Sequence, residues 1–161
     1  MTEGAAPLRL HAATVRPEWV DYNGHMSEAY YVLIFGHATD AFLDHIGMDQ
    51  AVRERTATSV YTVEAHINYL REVKAGERVA VETQVLKHDA KRVHLHHRML
   101  REGGDDPTPV ATTELMLLHV DKTALRACPF RPEPLARVAA IAADHARLPR
   151  PEHIGRVIGI P

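Results

Sequence analysis

The sequence contains one cysteine, one tryptophan and no long apolar run, and each shortage excludes a class of protein. Cys128 alone cannot form an internal disulfide, and it stands beside Pro129 without a partner that suggests a catalytic dyad. We expect it to be incidental to function. No segment approaches the roughly 18 apolar residues of a membrane span. The N-terminal segment MTEGAAPLRL also lacks the basic-then-apolar order of a secretory signal, which predicts a cytoplasmic protein.

An excess of charge of either sign is also missing. Lys and Arg number 19 against 21 Asp and Glu, which leaves a net charge of -2. This balance predicts neither a nucleic-acid partner nor attachment to a membrane surface. The length of 161 residues and a hydrophobic share of 45% fit a single domain over residues 1–161 with one sizeable core.

Histidine, by contrast, is abundant, with 12 residues in the chain. His94, His96 and His97 fall in one predicted strand, where the first two share a face and the third points the opposite way. No Cys, Asp or Glu stands beside them at ligand spacing. We therefore expect polar residues on a solvated or interfacial strand face, with no metal site and no cofactor.

Hydrophobic periodicity divides the chain into a long helix and several strands. From Ser27 to Ile46 apolar residues recur every three or four positions, and Gly47 follows as a stop, which predicts a helix of about five turns. A helix so apolar should be wrapped by other elements. Alternating runs predict strands at 8–15, 59–70, 77–89, 92–101 and 110–121, with turns at 74–76, 89–91 and 103–109, and an alanine-rich surface helix at 132–145.

This order of elements predicts an α+β fold in which an antiparallel five-stranded sheet curls around one long central helix. The core would cover about residues 8–122, and a C-terminal helix and tail would follow over 123–161. The outer strands would be left unpaired, and such edges are usually joined to another subunit. We therefore expect a homodimer or homotetramer.

The densest run of reactive residues is the segment before the helix, from Trp19 to Met26. Asp21 supplies a carboxylate, and Gly24 permits a tight turn. The free N–H groups of the first helical turn suit a developing oxyanion, helped by the positive end of the helix dipole. On spacing alone, a simple helix cap by Asp21 or Asn23 is an equal alternative.

The string D-x-x-G-H-M at residues 21–26, followed by a Tyr-rich helix and VEAHINYLREVKAGERVAVETQVL, resembles the hotdog-fold thioesterases of the 4-hydroxybenzoyl-CoA thioesterase type. The resemblance covers about residues 8–122. It implies that Asp21 attacks the thioester carbonyl or activates water, and that amides around Gly24–Ser27 polarise the carbonyl. His25 and Met26 complete the motif, and His25 would shape the loop.

Five blocks, among them WVDYNGHM, DAKRVHLHHRM and the closing IGRVIGIP, bring the chain closer to the betainyl-CoA thioesterases of carnitine breakdown, which it also resembles. This resemblance implies hydrolysis of betainyl-CoA to betaine and free CoA. It also places the strand of Glu64 beside the active site of a dimer, where this carboxylate would orient water or hold a cationic acyl group. An ordinary exposed strand position is the equal alternative for Glu64.

The remaining site predictions concern the two ends of the substrate. A trimethylammonium group would be held by cation–π contacts with aromatic rings. The aromatic candidates are Trp19, Tyr22, Tyr30 and Tyr61, with Tyr31 and Tyr69 as further members of the same set. The CoA phosphates would be bound from a locally basic stretch, with Lys87, Lys91 and Arg92 as the candidates.

Other functions stay open. The same chemistry would serve a short-chain or aromatic acyl-CoA, and a non-catalytic acyl-CoA-binding module would keep the fold without needing Asp21. A hydratase is less favoured because no D-x-N-P-x-H-type pattern is present. The sequence also leaves open whether Asp21 forms a covalent intermediate or acts as a general base.

Overall fold

The computed structural model describes residues 5–106 and 108–161. Its main elements are β1 (Leu8–Thr14), α1 (Glu28–His45), α2 (Gln50–Thr56), β2 (Thr58–Tyr69), β3 (Arg78–His88), β4 (Arg92–Arg101), β5 (Pro109–Asp121), β6 (Arg126–Ala127) and α3 (Pro132–His145). The five predicted strands and both predicted helices are present, which confirms the α+β fold. The sequence pattern does not indicate α2 or the two-residue β6. Residues 1–4 of the predicted N-terminal segment and Pro107 of the predicted turn lie outside the described residues.

All the strands belong to one antiparallel sheet with the order β1-β3-β4-β5-β2, and β6 pairs with β5. Among the described residues, strand β2 pairs only with β5, so its other side is a free edge. A β-bulge between Thr62 and Glu64 interrupts that ladder. Because side chains alternate along a strand, the bulge changes which residues of β2 face the core.

Helix α1 packs one face against the sheet. Its buried side chains follow the three- and four-residue spacing read from the sequence: Tyr31, Ile34, Phe35, Ala38, Thr39, Phe42 and Leu43. The opposite face is open, with Val32 47% and Leu33 40% exposed. The curled sheet therefore packs on one side of α1, and the other side of the helix stays open in the single chain.

Local sequence signals set the helix ends. Gly47 adopts a φ of +83°, a left-handed conformation that suits glycine, and α1 stops just before it as predicted. Asp49 caps α2 by accepting a hydrogen bond from the Val52 N–H at 2.9 Å. At the end of α3, His145 Nδ1 accepts the Val85 N–H at 2.9 Å, which fixes α3 against the bulged end of β3.

The three clustered histidines separate as strand alternation predicts. His94 lies on the outer face of the sheet, 2.8 Å from a carboxylate oxygen of Glu114. His96 is on the same face but is buried beneath residues 148–153. His97 points inward and is completely buried between two threonines. The expectation of a solvated or interfacial face is therefore wrong for His97, which is part of the core.

Cys128 has a partner that its sequence position does not reveal. Its Sγ lies 3.3 Å from Nδ1 of His119 on the neighbouring strand β5. Burial raises the pKa of this thiol, and the charge of Asp121 raises it further. The reactive thiolate is therefore disfavoured, so the pair lacks the electrostatics of a nucleophilic cysteine.

Candidate active site

The loop from Val20 to Met26 closes on itself as a small hairpin. Val20 and Met26 form an antiparallel bridge, and the Asp21 N–H donates to the His25 carbonyl at 3.0 Å. Gly24 makes the tight turn with a φ of +78°, and its N–H donates to the Asp21 carbonyl at 3.0 Å. Met26 is only 5% exposed and anchors the loop in the core beside α1.

The segment that leaves β2 lies beside this loop and is held rigidly. Three consecutive carbonyls accept hydrogen bonds from three parts of the fold: Arg71 O from the Tyr31 hydroxyl at 3.1 Å, Glu72 O from the Arg101 guanidinium at 2.7 Å, and Val73 O from the Met26 N–H at 2.7 Å. The donors come from α1, from β4 and from the loop itself. The position of the loop relative to the end of β2 is therefore fixed by hydrogen bonds to three backbone carbonyls.

Loop and segment together line a cavity of about 360 Å³ that contains Asp21. The side-chain groups that give it chemical character are those of Asp21, His25, Glu28, Tyr31, Tyr69 and Glu72. Asp21 Oδ1 accepts the Asn23 N–H at 2.8 Å, which orients the carboxylate. Its Oδ2 bonds to none of the described residues, so one oxygen is available for a substrate or a water.

Both carboxylates and aromatic rings line this cavity. His25 Nε2 lies 3.0 Å from Oε2 of Glu72, and the rings of Tyr31 and Tyr69 meet at 88° with 5.3 Å between centroids. Burial raises the pKa of Tyr31, and the charge of Glu72 adds to this; burial and then Glu28 do the same for Tyr69. Each ring therefore has a carboxylate nearby, and with Asp21 the cavity holds three acidic groups.

The helix-cap alternative for Asp21 and Asn23 is wrong. Helix α1 begins at Glu28 with Ser27 as its N-cap, and the Ser27 side chain makes no capping bond. The Asp21 carboxylate instead bonds within its own loop. The first turn of α1 therefore receives no side-chain cap from the loop, and its positive dipole end stays available to an anionic group.

The expected oxyanion-binding amides are mostly occupied. In Gly24–Ser27, three of the four N–H groups donate within the fold: Gly24 to Asp21 O, Met26 to Val73 O and Ser27 to Trp19 O. Only the N–H of His25 in this stretch has no acceptor among the described residues. Three of the predicted donors are thus used to fold the loop, and His25 N–H is the candidate that remains.

The aromatic candidates do not all surround Asp21. Trp19 stacks on Tyr30 with 5.5 Å between centroids, and the Arg16 guanidinium lies 5.3 Å from the indole centroid. Trp19 lines a different cavity beside β1, and Tyr22 is 96% exposed outside the Asp21 cavity. A cation already sits over Trp19, so a second one would be repelled there. Of the six aromatic candidates, the structure brings only Tyr31 and Tyr69 to Asp21.

Glu64 and Tyr61 lie away from the cavity in the single chain. Glu64 is exposed opposite Met116, whose other neighbour is the outward-facing His94. This register places Glu64 on the outer face of the sheet, so it lines no wall of the Asp21 cavity. Tyr61 is 50% exposed and stands eight residues before Tyr69, which is about 26 Å along the strand.

The basic candidates gather at the turn between β3 and β4, which is roughly 30 Å along β3 from the Asp21 end of the sheet. Arg92 is bonded to Asp89 through two guanidinium nitrogens, and this contact lowers the pKa of that carboxyl to about 2. Among the described residues, Lys87 and Lys91 form no ion pair. The two lysines are therefore the cations of this group that are free to bind a phosphate.

Two acidic residues of the cavity, Glu28 and Glu72, are missing from the sequence-based prediction. Glu28 stands only two positions after the D-x-x-G-H-M motif, so its closeness to Asp21 was a usable signal. Glu72 is 51 positions further along the chain than Asp21, and only the bridging contacts at residues 71–73 bring it back. No local pattern carries that information.

Comparison with known proteins identifies the family of this chain. Residues 15–138 match the thioesterase-like superfamily. A betainyl-CoA thioesterase of Pseudomonas aeruginosa is 49% identical over 154 residues, which cover 96% of each chain. An L-carnitine dehydrogenase/betainyl-CoA thioesterase of Agrobacterium fabrum is 49% identical over 149 residues, which are 92% of this chain and 30% of that protein.

Solved structures give the same result for the fold. A Pseudomonas putida KT2440 protein assigned as a thioesterase has a TM-score of 0.83 at 40% identity, covering 98% of this chain and 99% of that one. A Staphylococcus aureus protein solved in complex with CoA has a TM-score of 0.89 at 28% identity, covering 99% and 100%. Across residues 5–106 and 108–161, no helix combines the length and apolarity of a membrane span. The chain belongs to the thioesterase-like superfamily and is a hotdog-fold thioesterase.

Proposed function

We propose that this thioesterase hydrolyses betainyl-CoA to betaine and free CoA, with Asp21 as the catalytic group, as one step in the breakdown of carnitine. The observation that carries the proposal is the Asp21 cavity, which joins a carboxylate with a free oxygen to aromatic rings and further acids. Two relatives that share 49% identity are named for this substrate. A CoA ester as substrate would also place the reaction in the cytoplasm.

Asp21 has two routes to the same products. As a general base, the free Oδ2 takes a proton from water while that water attacks the thioester carbonyl, and the tetrahedral intermediate then expels the CoA thiolate, which takes up the proton. As a nucleophile, the same oxygen attacks the carbonyl, releases the CoA thiolate and leaves a mixed anhydride that water then hydrolyses. In both routes negative charge develops on the carbonyl oxygen, which the His25 N–H and the start of α1 would stabilise.

The active form is proposed to be a homodimer joined through β2, with a homotetramer as the larger alternative. The free edge of β2 carries Tyr61 and Val63, 50% and 55% exposed, and the open face of α1 adds further apolar surface. An antiparallel pairing of two β2 edges would bring the Lys87–Lys91 end of one subunit to the Asp21 end of the other. This arrangement would give the CoA phosphates a basic site that the single chain does not place near Asp21.

The test is thiol release from a panel of betainyl-CoA, acetyl-CoA, hexanoyl-CoA and 4-hydroxybenzoyl-CoA. We expect the highest kcat/KM for betainyl-CoA, and in Asp21→Asn a kcat lower by about a hundredfold or more with the fold unchanged by circular dichroism. Asp144→Asn, which removes an exposed carboxylate of α3 paired with Arg147, is the matched control and should keep full activity. Near-normal turnover by Asp21→Asn would exclude Asp21 from the mechanism. CoA binding without thiol release from any ester would identify a binding module instead.

A further inference from the structure

The size of the betainyl group restricts where its charge can be recognised. One methylene separates the quaternary nitrogen from the carbonyl carbon, so two bonds of about 1.5 Å place these atoms about 2.5 Å apart. When the carbonyl is within reach of Asp21, the trimethylammonium group must lie in the same cavity. Trp19 and Tyr61, which lie outside that cavity in this chain, are too distant from the carbonyl to contact it.

From the walls of the Asp21 cavity we infer a quaternary-ammonium subsite made by the rings of Tyr31 and Tyr69 and the carboxylates of Glu28 and Glu72. This inference rests on the proposed function, because it assigns the residues that select a cationic acyl group. The two rings stand at 88° with 5.3 Å between centroids, which gives the subsite two aromatic walls meeting at a corner. Aromatic walls of this kind hold quaternary ammonium groups by cation–π attraction.

The hydrogen bonds around the rings favour this role. The Tyr31 hydroxyl donates to the Arg71 carbonyl at 3.1 Å, so the ring is fixed and only 4% exposed. Tyr69 is 46% exposed, at the last position of β2, and supplies the open wall. A trimethylammonium group offers no N–H to a hydrogen-bond acceptor, so it competes for none of these bonds. One ring is pre-organised and the other is accessible.

The charges of the cavity favour a cation as well. Asp21, Glu28 and Glu72 are negative, and the two basic residues in the lining already have acidic partners. His25 lies against Glu72, and the Arg71 guanidinium is bonded to Asp106. The acidic groups therefore outnumber the free cations beside the acyl group. The negative charges would attract a cationic acyl group, whereas a neutral acyl chain of the same shape would not be stabilised by them.

The experiment compares betainyl-CoA with its uncharged isostere, 3,3-dimethylbutanoyl-CoA, in which carbon replaces the quaternary nitrogen. The quantity measured is the ratio of the two kcat/KM values, because a purely structural defect lowers both and leaves the ratio unchanged. In the unmodified enzyme we expect the ratio to be about ten or more. Tyr69→Leu should lower it about fivefold or more, whereas Tyr69→Phe, which keeps the ring, should stay within about twofold.

The acidic wall is tested in the same way. Glu28→Gln removes one charge without changing shape and should lower the ratio by about threefold to tenfold. The matched control is Glu133→Gln, an exposed carboxylate of α3 paired with Arg137 on the same helix, and it should leave the ratio unchanged. A high ratio that survives both Tyr69→Leu and Glu28→Gln would overturn the subsite while leaving betainyl-CoA hydrolysis intact. A ratio near one in the unmodified enzyme would overturn the subsite too. Failure to hydrolyse either ester would remove the proposed function and the subsite together.

Discussion

The burial of neutral histidines predicts that this protein loses stability between pH 7.5 and pH 5.5, well above the range in which carboxylates titrate. His97 is sealed in the core, where Thr39 Oγ1 donates to the Phe35 carbonyl and is left to accept the His97 Nε2–H at 3.0 Å. Nδ1 then accepts the hydroxyl of Thr83 at 2.9 Å. Protonation of Nδ1 would remove the acceptor of the Thr83 hydroxyl and would place a charge in the core, so the network favours the neutral ring.

The magnitude follows chiefly from the two histidines with the largest shifts, and burial also lowers the pKa of His11 and His145, which adds to the loss. Burial lowers the pKa of His97 to about 3, and burial followed by the charge of Arg98 lowers that of His96 to about 4, from 6.5 in the unfolded chain. Because the folded values are the lower ones, the unfolded chain takes up protons first as the pH falls. Stability is therefore complete above about pH 6.5 and declines until the folded values are reached. At pH 5.5 each histidine costs about 1.4 kcal/mol, or about 3 kcal/mol together.

The assay is urea unfolding at pH 7.5, 6.5 and 5.5, followed by the fluorescence of Trp19 at one fixed protein concentration. His96→Gln removes one of the two strongly shifted groups and should lose about 1.4 kcal/mol less stability over this range. The control is His45→Gln, which removes an exposed histidine at the end of α1 and should behave like the unmodified protein. Free energies of unfolding that agree within about 0.5 kcal/mol at pH 7.5 and 5.5 would refute the reasoning.

Three shorter predictions concern the site and its assembly. Gly24→Ala should lower the free energy of unfolding in urea by about 1 to 2 kcal/mol and should lower kcat. The cause is the φ of +78°, which strains any residue with a Cβ, although an added Cβ would have no atom within 4 Å; an unchanged free energy of unfolding would contradict this. Val63→Lys places a charge on the free edge of β2 and should shift the mass measured by light scattering from that of a dimer, about 36 kDa or twice 18.0 kDa, towards that of a monomer. A dimer that persists in this variant would place the interface elsewhere. Replacing Lys87 and Lys91 together by Gln should raise KM severalfold and weaken its dependence on salt with little change in kcat, whereas an unaltered KM would place the CoA phosphates elsewhere.

Hydrophobic periodicity was sufficient to predict most of the helices and strands because the residues they bury recur at the spacing seen in the sequence. The spacing of Ile34, Ala38 and Phe42 that predicted α1 is the spacing of its buried face, and Gly47 ends the helix where the pattern stopped. The same pattern includes Val32 and Leu33, which are apolar but exposed in the single chain. Composition indicates that a face is apolar without indicating whether the same chain or a second one covers it.

In the candidate site, the residues placed by local contacts could be predicted from the sequence, and those placed by non-local contacts could not. The geometry of Asp21 depends on the turn at Gly24 and on the Asn23 N–H, all within four positions, so a short motif was enough to find it. Tyr69 and Glu72, one ring and one carboxylate of the walls, are instead placed by the register of β2 and by the carbonyls that accept hydrogen bonds from Tyr31 and Arg101.

For Trp19, closeness to Asp21 in the sequence led to a wrong prediction. It stands two positions before Asp21, yet the 3-10 turn at Pro17–Trp19 and the bridge that follows it direct the indole to a different cavity. Once there, the ring packs on Tyr30 and beneath Arg16, which removes it as a partner for a second cation. Tyr69 is 48 positions away from Asp21 and lines the same cavity. A substrate whose charge lies about 2.5 Å from its reacting carbon selects for closeness in space, and the sheet register supplies that closeness.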